Sequence, residues 1–398
     1  MHKKILVTII LLIQLCLAEN DNLPNRIILN LTENPSTEMA ITWRTTIAVE
    51  NPLAIITKAT SKTKFDTGLI ELIPTTEKTI LDNGKVAHYY SAIFKNIKPG
   101  TIYAYKVGEA GNWSEWNQFT TASVESKAFE FIYFGDIQNG IYTMSPRVLR
   151  SAFKKSPNAG FCFFAGDMVN HQESDEEWGQ IFDGLGWATR TTPMIMLPGN
   201  HDYPSKKSGL EHKISNIWRP QFTLPENGIP GLEETSYFID YQGVKFITLN
   251  GNEKLEEQAK WLDEILSVNT QKWVIASIHQ PIYAVAKGRN NPKYRDTFLP
   301  VIDKYSIDLV LQGHDHAYAR THKLRNNEIV KDSEVGTIYV VSVVGINSYT
   351  PNEETSKFMA KMDTGNQLFQ VIKVDENKLT FTSYTALGEL YDSFEIVK

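Results

Sequence analysis

One short stretch decides how the rest of the chain is interpreted: Ile307-Asp308-Leu309-Val310-Leu311-Gln312-Gly313-His314-Asp315-His316. Its apolar first half is typical of a buried parallel strand. His314 and His316 are two residues apart, so in extended backbone both imidazoles point to one side and can bind one metal ion or two neighbouring ions. A lone His-x-His pair is more often a pair of partly solvated loop histidines, so the metal interpretation depends on the other strands.

Four earlier apolar runs end in the same way, with side chains that suit a metal ion. These side chains are Asp136, Asp167, Asn200 with His201, and His279, which follow the runs 129–134, 161–165, 194–197 and 273–278. Each one alone could be a helix cap, a turn residue or a histidine at the edge of the core. Ligand sites in open α/β sheets lie at the carboxyl ends of the strands, so the ordered set predicts a metal centre. Its oxygen and nitrogen donors suit Zn, Mn, Fe or Co.

The length and composition indicate an ordinary globular protein of two or three domains, with 398 residues, 42% hydrophobic and 22% charged. Residues 1–18 differ, because Lys3 and Lys4 precede an apolar run that ends in the small-x-small site Cys16-Leu17-Ala18. They are predicted to be a secretory signal peptide; a membrane anchor and lipid attachment at Cys16 are the alternatives. No later stretch is long and apolar enough to cross a bilayer.

Removal of the signal peptide changes the formal net charge from −6 to −8, because residues 1–18 carry two lysines and no acidic residue. A chain of this charge has no general attraction to nucleic acids or to acidic membranes. Cys162 is then the only cysteine left, so no intramolecular disulfide can form and a place in the core is expected.

Residues 25–121 and the residues after them have different patterns. The first segment alternates apolar and polar positions between turn sequences, which predicts an antiparallel β-sandwich with Trp43 and Tyr103 in its core. Its run 97–105 resembles the turn and strand of a fibronectin type III domain. We expect a packing or orienting module, with carbohydrate binding as the less supported alternative.

After a small, polar linker at 122–128, apolar strands alternate with amphipathic helices, which predicts a parallel-rich α/β sheet. Helices are expected at 145–155, 173–185 and 254–266, and a long insertion at 203–235. Three further strands, at 337–344, 368–374 and 379–385, are expected to form a second sheet packed against the first.

Three motifs give the chain a family resemblance: Gly166-Asp167, Gly199-Asn200-His201-Asp202, and Gly313-His314-Asp315-His316-Ala317-Tyr318-Ala319-Arg320. With them the chain resembles the calcineurin-like metallophosphoesterases, and with the fibronectin-like segment it most resembles the purple acid phosphatase branch. The resemblance extends from residue 25 to about residue 350. It implies an all-β sandwich domain followed by an α/β metallophosphoesterase domain over 129–398, with two β-sheets flanked by helices in four αββα layers.

The resemblance also implies a role for each strand-end residue around two divalent or trivalent transition metal ions, with Fe, Zn or Mn expected. By this resemblance, Asp167 bridges the two metals, and Asp136 and His316 complete the first site. The second site is completed by Asn200, His279 and His314. His201 is not a ligand and contacts the phosphoryl oxygens or the leaving group.

The chain departs from the family pattern in two places. Asn170 stands where the purple enzymes have a tyrosinate ligand, and Gln138 stands where relatives without that tyrosine often have a histidine. Gln138, Asn170 or His171 could supply the missing neutral ligand, and the sequence does not choose among them. The purple enzymes place histidines that protonate the leaving group in the region of residues 284–295. Here this run is basic and contains no histidine. Lys287 and Arg289 are candidate substrate contacts, and a solvated loop without such contacts is an equal alternative.

The sequence thus predicts a hydrolase that cleaves small phosphomonoesters by attack of a metal-bound hydroxide with help from His201. We expect it to be secreted, periplasmic or displayed on the cell surface. One alternative is a phosphodiesterase acting on the same metals. Another alternative is a cell-surface binding protein whose phosphatase domain has decayed. The complete set of ligands expected for the second metal site argues against such decay.

Overall fold

We describe the fold from a computed structural model, in residues 22–65, 67–205 and 207–398. The expected signal peptide and Cys16 lie outside these residues. In the part of the chain that is described, no helix has the length and apolar character needed to span a membrane.

Strands make up most of the regular structure. They are β1 Asn25–Asn30, β2 Met39–Thr45, β3 Leu53–Lys58, β4 Ile70–Leu72, β5 Thr75–Ile80, β6 Val86–Phe94, β7 Ile102–Glu109, β8 Asn112–Trp113, β9 Asn117–Thr120, β10 Phe129–Phe134, β11 Cys162–Phe164, β12 Met194–Met196, β13 Tyr237–Tyr241, β14 Val244–Leu249, β15 Trp273–Ile278, β16 Leu309–Gln312, β17 Tyr318–Thr321, β18 Leu324–Arg325, β19 Glu328–Ile329, β20 Ile338–Val341, β21 Met359–Asp363, β22 Leu368–Val374, β23 Lys378–Thr385 and β24 Leu390–Val397. The α-helices are α1 Ser145–Lys155, α2 Asp175–Leu185, α3 Ala188–Thr191, α4 Trp218–Gln221, α5 Leu255–Ser267 and α6 Pro292–Tyr305, and short 3₁₀ turns span Asn200–Asp202 and Ser356–Phe358.

The N-terminal segment is the expected antiparallel sandwich. One of its sheets has the order β1-β2-β6-β5, and the other joins β4, β3, β7 and β8, with β9 also paired to β7. Trp43 is fully buried and stacks on Tyr90 with ring centroids 5.4 Å apart, and Tyr103 stacks on Phe119 at 5.9 Å. Both aromatic residues predicted for the core therefore lie in it.

The sandwich shares a sheet with the α/β part of the chain. β1 pairs in parallel with β12, where Asn30 stands opposite Met194, so that a single sheet of ten strands runs β24-β23-β22-β10-β11-β12-β1-β2-β6-β5. The Asn30 side-chain amide donates to the Met194 carbonyl at 3.2 Å and ties the two segments at this junction.

The α/β part contains two sheets, as expected, but their strands are distributed differently from the prediction. The second sheet has the order β13-β14-β15-β16-β20-β17-β21. The expectation that the strands near 337–344, 368–374 and 379–385 form one sheet together is wrong, because β20 pairs with β16 whereas β22 and β23 extend the ten-stranded sheet beside β10. Buried strands of both sheets have the same apolar pattern, so periodicity alone does not assign a strand to a sheet.

Aromatic side chains fill the space between the two sheets. Phe246 of β14 packs edge-on against Phe131 of β10 and against Phe161, with ring centroids 5.3 and 5.1 Å apart. On the outer faces, α1 packs on β22 and α2, and α5 packs on α6 over the second sheet. The layers are therefore helix, sheet, sheet and helix, as the resemblance implied. Cys162 is fully buried in β11.

The longest of the described helices, α6, was not foreseen. α6 begins at Pro292, inside the basic run expected to be a loop, and continues past Pro300 to Tyr305. Proline fits the first turn of a helix but weakens a helix from within, so Pro300 hides the helical pattern in the sequence.

Candidate active site

The carboxyl ends of five parallel strands from the two sheets meet at one place. β10, β11 and β12 of the ten-stranded sheet bring Asp136, Asp167 and Asn200 there, and β15 and β16 of the other sheet bring His279 and His314. Main-chain hydrogen bonds connect these strand ends. Gly313 N donates to the His279 carbonyl at 2.9 Å. Residues far apart in the chain are thereby held side by side.

Asp136 is fully buried and holds the histidine loop by its carboxylate. The His314 amide donates to both carboxylate oxygens, at 2.7 and 2.9 Å. The second oxygen also lies 3.1 Å from Nε2 of His316, whose side chain is 2% exposed. A single carboxylate therefore orients the backbone at one histidine and the ring of the other.

Asp167 lies at the centre of the cluster, on backbone in the left-handed region with φ of +50°. Its Oδ1 accepts from the His201 amide at 2.7 Å. Its Oδ2 accepts from Gln138 Nε2 at 2.9 Å and lies 3.0 Å from His279 Nε2. The two oxygens of one buried carboxylate thus face residues from three other strand ends.

The second sheet supplies histidines with defined orientations. His279 Nδ1–H donates to the Ala165 carbonyl at 2.6 Å, which leaves Nε2 as the nitrogen that faces Asp167. The rings of His279 and His314 meet edge to face at 5.2 Å. Asp167, His279 and His314 each offer a ligand atom within 4.8 Å of the others, which is close enough to hold one cation.

The charges around His279 favour a cation at this position. Burial lowers the pKa of His279, but the nearby carboxylates of Asp167 and Asp136 outweigh burial and raise it to about 9. Conversely, burial raises the pKa of Asp167, and His279 outweighs that effect and holds it well below the usual range. Burial, His279 and Arg289 together lower the pKa of His314. A metal ion at His279 Nε2 would replace the proton that the carboxylates attract there.

Several buried polar atoms of the cluster have no hydrogen-bond partner among the described residues. They are Asn200 Oδ1, Gln138 Oε1 and His316 Nδ1. Buried polar atoms are normally paired, and an unpaired one calls for an ion or a water molecule. Oxygen and nitrogen donors of this kind are what a transition metal ion takes from a protein. The residues present therefore fit the metal centre that the sequence predicted.

Two glycines leave room for the carboxylates. A Cβ at Gly199 would lie 2.1 Å from Asp167 Oδ1, and a Cβ at Gly313 would lie 2.1 Å from Asp136 Oδ1. Any side chain at either position would displace a carboxylate of the cluster. This packing gives the glycines of the two longer motifs a steric reason.

His201 takes a different position from the other histidines. Its ring Nδ1–H donates to the Asn170 carbonyl at 2.8 Å, and only its main-chain amide contacts Asp167. Its Nε2 is therefore the ring nitrogen left for another partner.

The structure separates the three candidates for the missing neutral ligand. Gln138 lies inside the cluster, with Nε2 3.1 Å from His316 Nε2 and with its Oε1 unpaired. His171 is 79% exposed at its side chain and contacts Glu177 Oε1 at 2.7 Å. Asn170 contributes its carbonyl to His201, and its amide donates to Glu177. Of the three, Gln138 is the one whose side chain contacts the cluster.

The two basic residues of the 284–295 run are placed differently. Lys287 is exposed. Arg289 Nη1 lies 2.6 Å from Asp315 Oδ1 and donates to the His314 carbonyl at 2.9 Å. Its guanidinium lies over the ring of Tyr349, which stacks on His316 at 4.6 Å. Arg289 thus braces the histidine loop.

Two buried aspartates support the cluster, and no role was predicted for them. Asp202 Oδ2 accepts from the Gly199 amide at 2.7 Å and from the Asp167 amide at 3.2 Å, while burial and Asp167 raise its pKa to about 7. Asp315 is fully buried and accepts from the amides of Val285 and Ala286. Both lie within the quoted motifs, Asp202 next to the candidate catalytic residue His201 and Asp315 between the candidate ligands His314 and His316. That position is the signal that could have identified them.

Comparison with protein families supports the resemblance. Residues 129–318 match the family model of the calcineurin-like phosphoesterases, and residues 24–121 match the purple acid phosphatase N-terminal domain. The resemblance inferred from the motifs is therefore confirmed.

Individual relatives are distant in sequence, and a solved purple acid phosphatase has a similar fold. An uncharacterised protein of Mycobacterium tuberculosis is 26% identical over 341 residues, which are 75% of this chain and 62% of that protein. Purple acid phosphatase 15 of Arabidopsis thaliana is 24% identical over 284 residues, 62% of this chain and 51% of that protein. The chain thus spans only part of the length of both. The structure of purple acid phosphatase PPD1 from yellow lupin seeds superposes with a TM-score of 0.80 at 18% identity, over 94% of this chain and 74% of that one.

Proposed function

The chain belongs to the purple acid phosphatase-like metallophosphoesterases, and on this premise we propose that it hydrolyses phosphomonoesters of small phosphorylated substrates. The observation that carries the proposal is the position of Asp167. Oδ2 of this buried carboxylate lies 3.0 Å from His279 Nε2 and accepts from Gln138 Nε2 at 2.9 Å, while Oδ1 accepts from the His201 amide at 2.7 Å. The carboxylate therefore lies where residues from three other strand ends meet. We therefore assign Asp167 as the bridge.

Each of the two proposed metal sites takes ligands from both sheets. Asp136, His316 and Gln138 would hold one ion with Asp167, and Asn200, His279 and His314 would hold the other. When bound, two such ions neutralise phosphate charge and lower the pKa of a water molecule so that it can attack phosphorus. The neutral amides of Asn200 and Gln138 limit the negative charge of the site, so that it can still attract an anionic substrate.

We assign His201 to the reacting phosphate. Its Nδ1–H is engaged by the Asn170 carbonyl, so Nε2 is the nitrogen that can face the phosphate. In the imidazolium form Nε2 also carries a proton, which it can donate to a phosphoryl oxygen or to the leaving group. The contact of the exposed Lys287 with a substrate stays a prediction, and for Arg289, which pairs with Asp315, we propose a supporting role through the histidine loop.

We further propose that the protein acts outside the cytoplasm, on the basis of the basic and apolar pattern of residues 1–18. The host's export machinery would then remove these residues. Mass measurement of the mature chain from its native host tests this assignment, since a first residue at or near position 19 is expected.

The decisive experiment combines metal analysis of the purified protein with turnover of a panel of phosphate mono- and diesters. We expect up to two transition metal ions per chain and a preference for monoesters, with activity abolished in a parallel Asp167→Asn preparation. A preference for diesters would assign the same residues to a phosphodiesterase. Bound metal without hydrolysis of any ester would instead favour a binding protein with a decayed phosphatase domain.

A further inference from the structure

Glu177, in the first turn of α2, contacts the segment that follows β11. Its Oε2 accepts from the amides of Asn170 and His171 at 2.6 and 2.9 Å, and its Oε1 lies 2.7 Å from His171 Nδ1. Its side chain is 18% exposed. Both carboxylate oxygens are thus used to hold two consecutive residues of one loop.

The peptide unit between Asn170 and His171 connects Glu177 to His201. The N–H of this unit belongs to His171 and donates to Glu177, and its C=O belongs to Asn170 and accepts from His201 Nδ1–H at 2.8 Å. The C=O and N–H of a trans peptide are rigidly coplanar and point in opposite directions. A carboxylate that fixes the N–H therefore also fixes the direction in which the carbonyl meets the imidazole.

The start of α2 is itself held by the sandwich. Asp175 lies 2.7 Å from Arg26 Nη1 of β1 and 2.6 Å from Arg44 Nη1 of β2, and all three side chains are largely buried. Ser174 caps the helix by accepting from the Glu177 amide at 3.3 Å. Glu177 thus projects from a helix end that cannot shift without breaking these contacts.

We propose that Glu177 is a positioning residue for His201. Through one peptide unit it keeps the proton on His201 Nδ1, keeps the ring in one orientation, and so presents Nε2 to the phosphoryl group. This inference rests on the proposed function for the role of His201, but it concerns a residue that lies outside the metal cluster and outside every motif of the resemblance. Loss of a positioning contact misplaces the catalytic group, so the loss should lower turnover more than substrate binding.

The first test compares three single variants by turnover, KM and thermal melting. Glu177→Ala is expected to lower kcat about tenfold, the range for a lost supporting hydrogen bond, with KM within about threefold of wild type. Glu177→Gln should retain most of kcat, because its amide oxygen can still accept from both main-chain N–H groups. Glu176→Ala is the matched control, since Glu176 is exposed in the same helical turn and carries the same charge. A fall in melting temperature at unchanged kcat in Glu177→Ala would overturn the proposal.

A double-mutant cycle with His201→Ala shows whether Glu177 acts through His201. If it does, adding Glu177→Ala to His201→Ala should cost no further turnover, whereas independent roles give additive losses. Additive losses would overturn the proposal. Full turnover in His201→Ala would do so too, and it would also contradict the proposed role of His201.

A spectroscopic measurement separates failure of this inference from failure of the proposed function. In zinc-loaded protein with nitrogen-15 histidine, the signals that disappear in His201→Ala identify His201. We expect them to show a proton on Nδ1 in the wild type and in Glu176→Ala, and a mixture of tautomers in Glu177→Ala. Unchanged His201 signals in Glu177→Ala would refute the positioning role, whether or not any ester is hydrolysed.

Discussion

At the scale of single residues, the candidate site depends on carboxylates that each have several partners. Asp136 holds His314 by its backbone and His316 by its ring, and Asp167 contacts residues of both proposed metal sites. Burial makes such contacts strong and makes a missing partner costly. Single substitutions should therefore separate ligands, catalytic groups and supporting residues.

We predict that Asp167→Asn lowers turnover at least about a hundredfold, beyond the range for residues that merely support a ligand. The loss should exceed that of Gln138→Ala, Asn170→Ala or His171→Ala, because the bridging carboxylate serves both ions and those residues share one coordination position at most. Metal content and melting temperature of each variant are the controls. A comparable loss in one of those three variants would mean that the bridge lies elsewhere.

His201→Ala is expected to lower turnover by about two to four orders of magnitude, the usual range for a lost acid or oxyanion donor. Metal content should stay near that of the wild type, because the ring donates to the Asn170 carbonyl and only the main chain of His201 contacts Asp167. Metal analysis and turnover are measured on the same sample. Metal lost in step with activity would identify His201 as a ligand.

At the scale of elements, α2 connects the sandwich to the candidate site. Its first residue, Asp175, is bound by arginines of β1 and β2. Its third residue, Glu177, holds the segment after β11, whose Asn170 carbonyl accepts from His201. The sandwich thereby has a structural part in the site although it contributes no residue to the metal cluster. The packing or orienting role expected of the sandwich from its sequence stays a prediction.

Arg44→Ala is predicted to destabilise the fold by on the order of 2 kcal/mol. This is less than the cost of leaving a buried charge with no partner, because Arg26 still pairs with Asp175 in the variant. Thermal melting measures the loss. Lys304→Ala is the control, since its ion pair with Asp263 is exposed on both sides and should contribute little. Equal melting temperatures of Arg44→Ala and wild type would contradict the prediction.

The same variant should change the response to acid. Burial raises the pKa of Asp175, but its hydrogen bond to Arg44 and the charges of both arginines outweigh burial and hold it below the usual 3.8. A carboxyl group whose pKa is lowered in the folded state stabilises the protein at any pH above its pKa in the unfolded state. That contribution disappears as the pH falls through its pKa in the folded state. Between pH 6 and pH 3 the melting temperature should therefore fall less in Arg44→Ala than in the wild type.

At the scale of the whole molecule, the candidate site lies where strands of two different sheets meet. A cation bound there links β10, β11 and β12 to β15 and β16, so binding should stabilise the folded state as a whole. The strands that carry the site are central in their sheets, where the backbone is held on both sides.

We predict that the purified protein contains up to two transition metal ions and is colourless in the visible range where tyrosinate bound to iron absorbs. The reason is Asn170, which stands in place of the tyrosine and directs its carbonyl to His201. Metal analysis and an absorption spectrum of the same sample are the measurements. A purple preparation would contradict the prediction.

The sequence by itself determined which residues stand at the strand ends, because apolar runs followed by glycine and polar residues are local features. It also determined the order of sandwich and α/β segments and, through the motifs, the family. Two assignments stay predictions. One is His201 as the catalytic group, and the other is the set of metal ligands, namely Asp136, Asp167, Asn200, His279, His314 and His316.

Only the tertiary structure decided which strands share a sheet, since β20 and β22 have similar apolar patterns and differ in the partner that packs beside them. It also showed that Gln138 enters the cluster whereas His171 points to Glu177, and that Arg289 braces the histidine loop. Each of these outcomes depends on contacts between residues distant in the chain. A side chain's type sets what it can bind, and the packing of the two sheets sets what it meets.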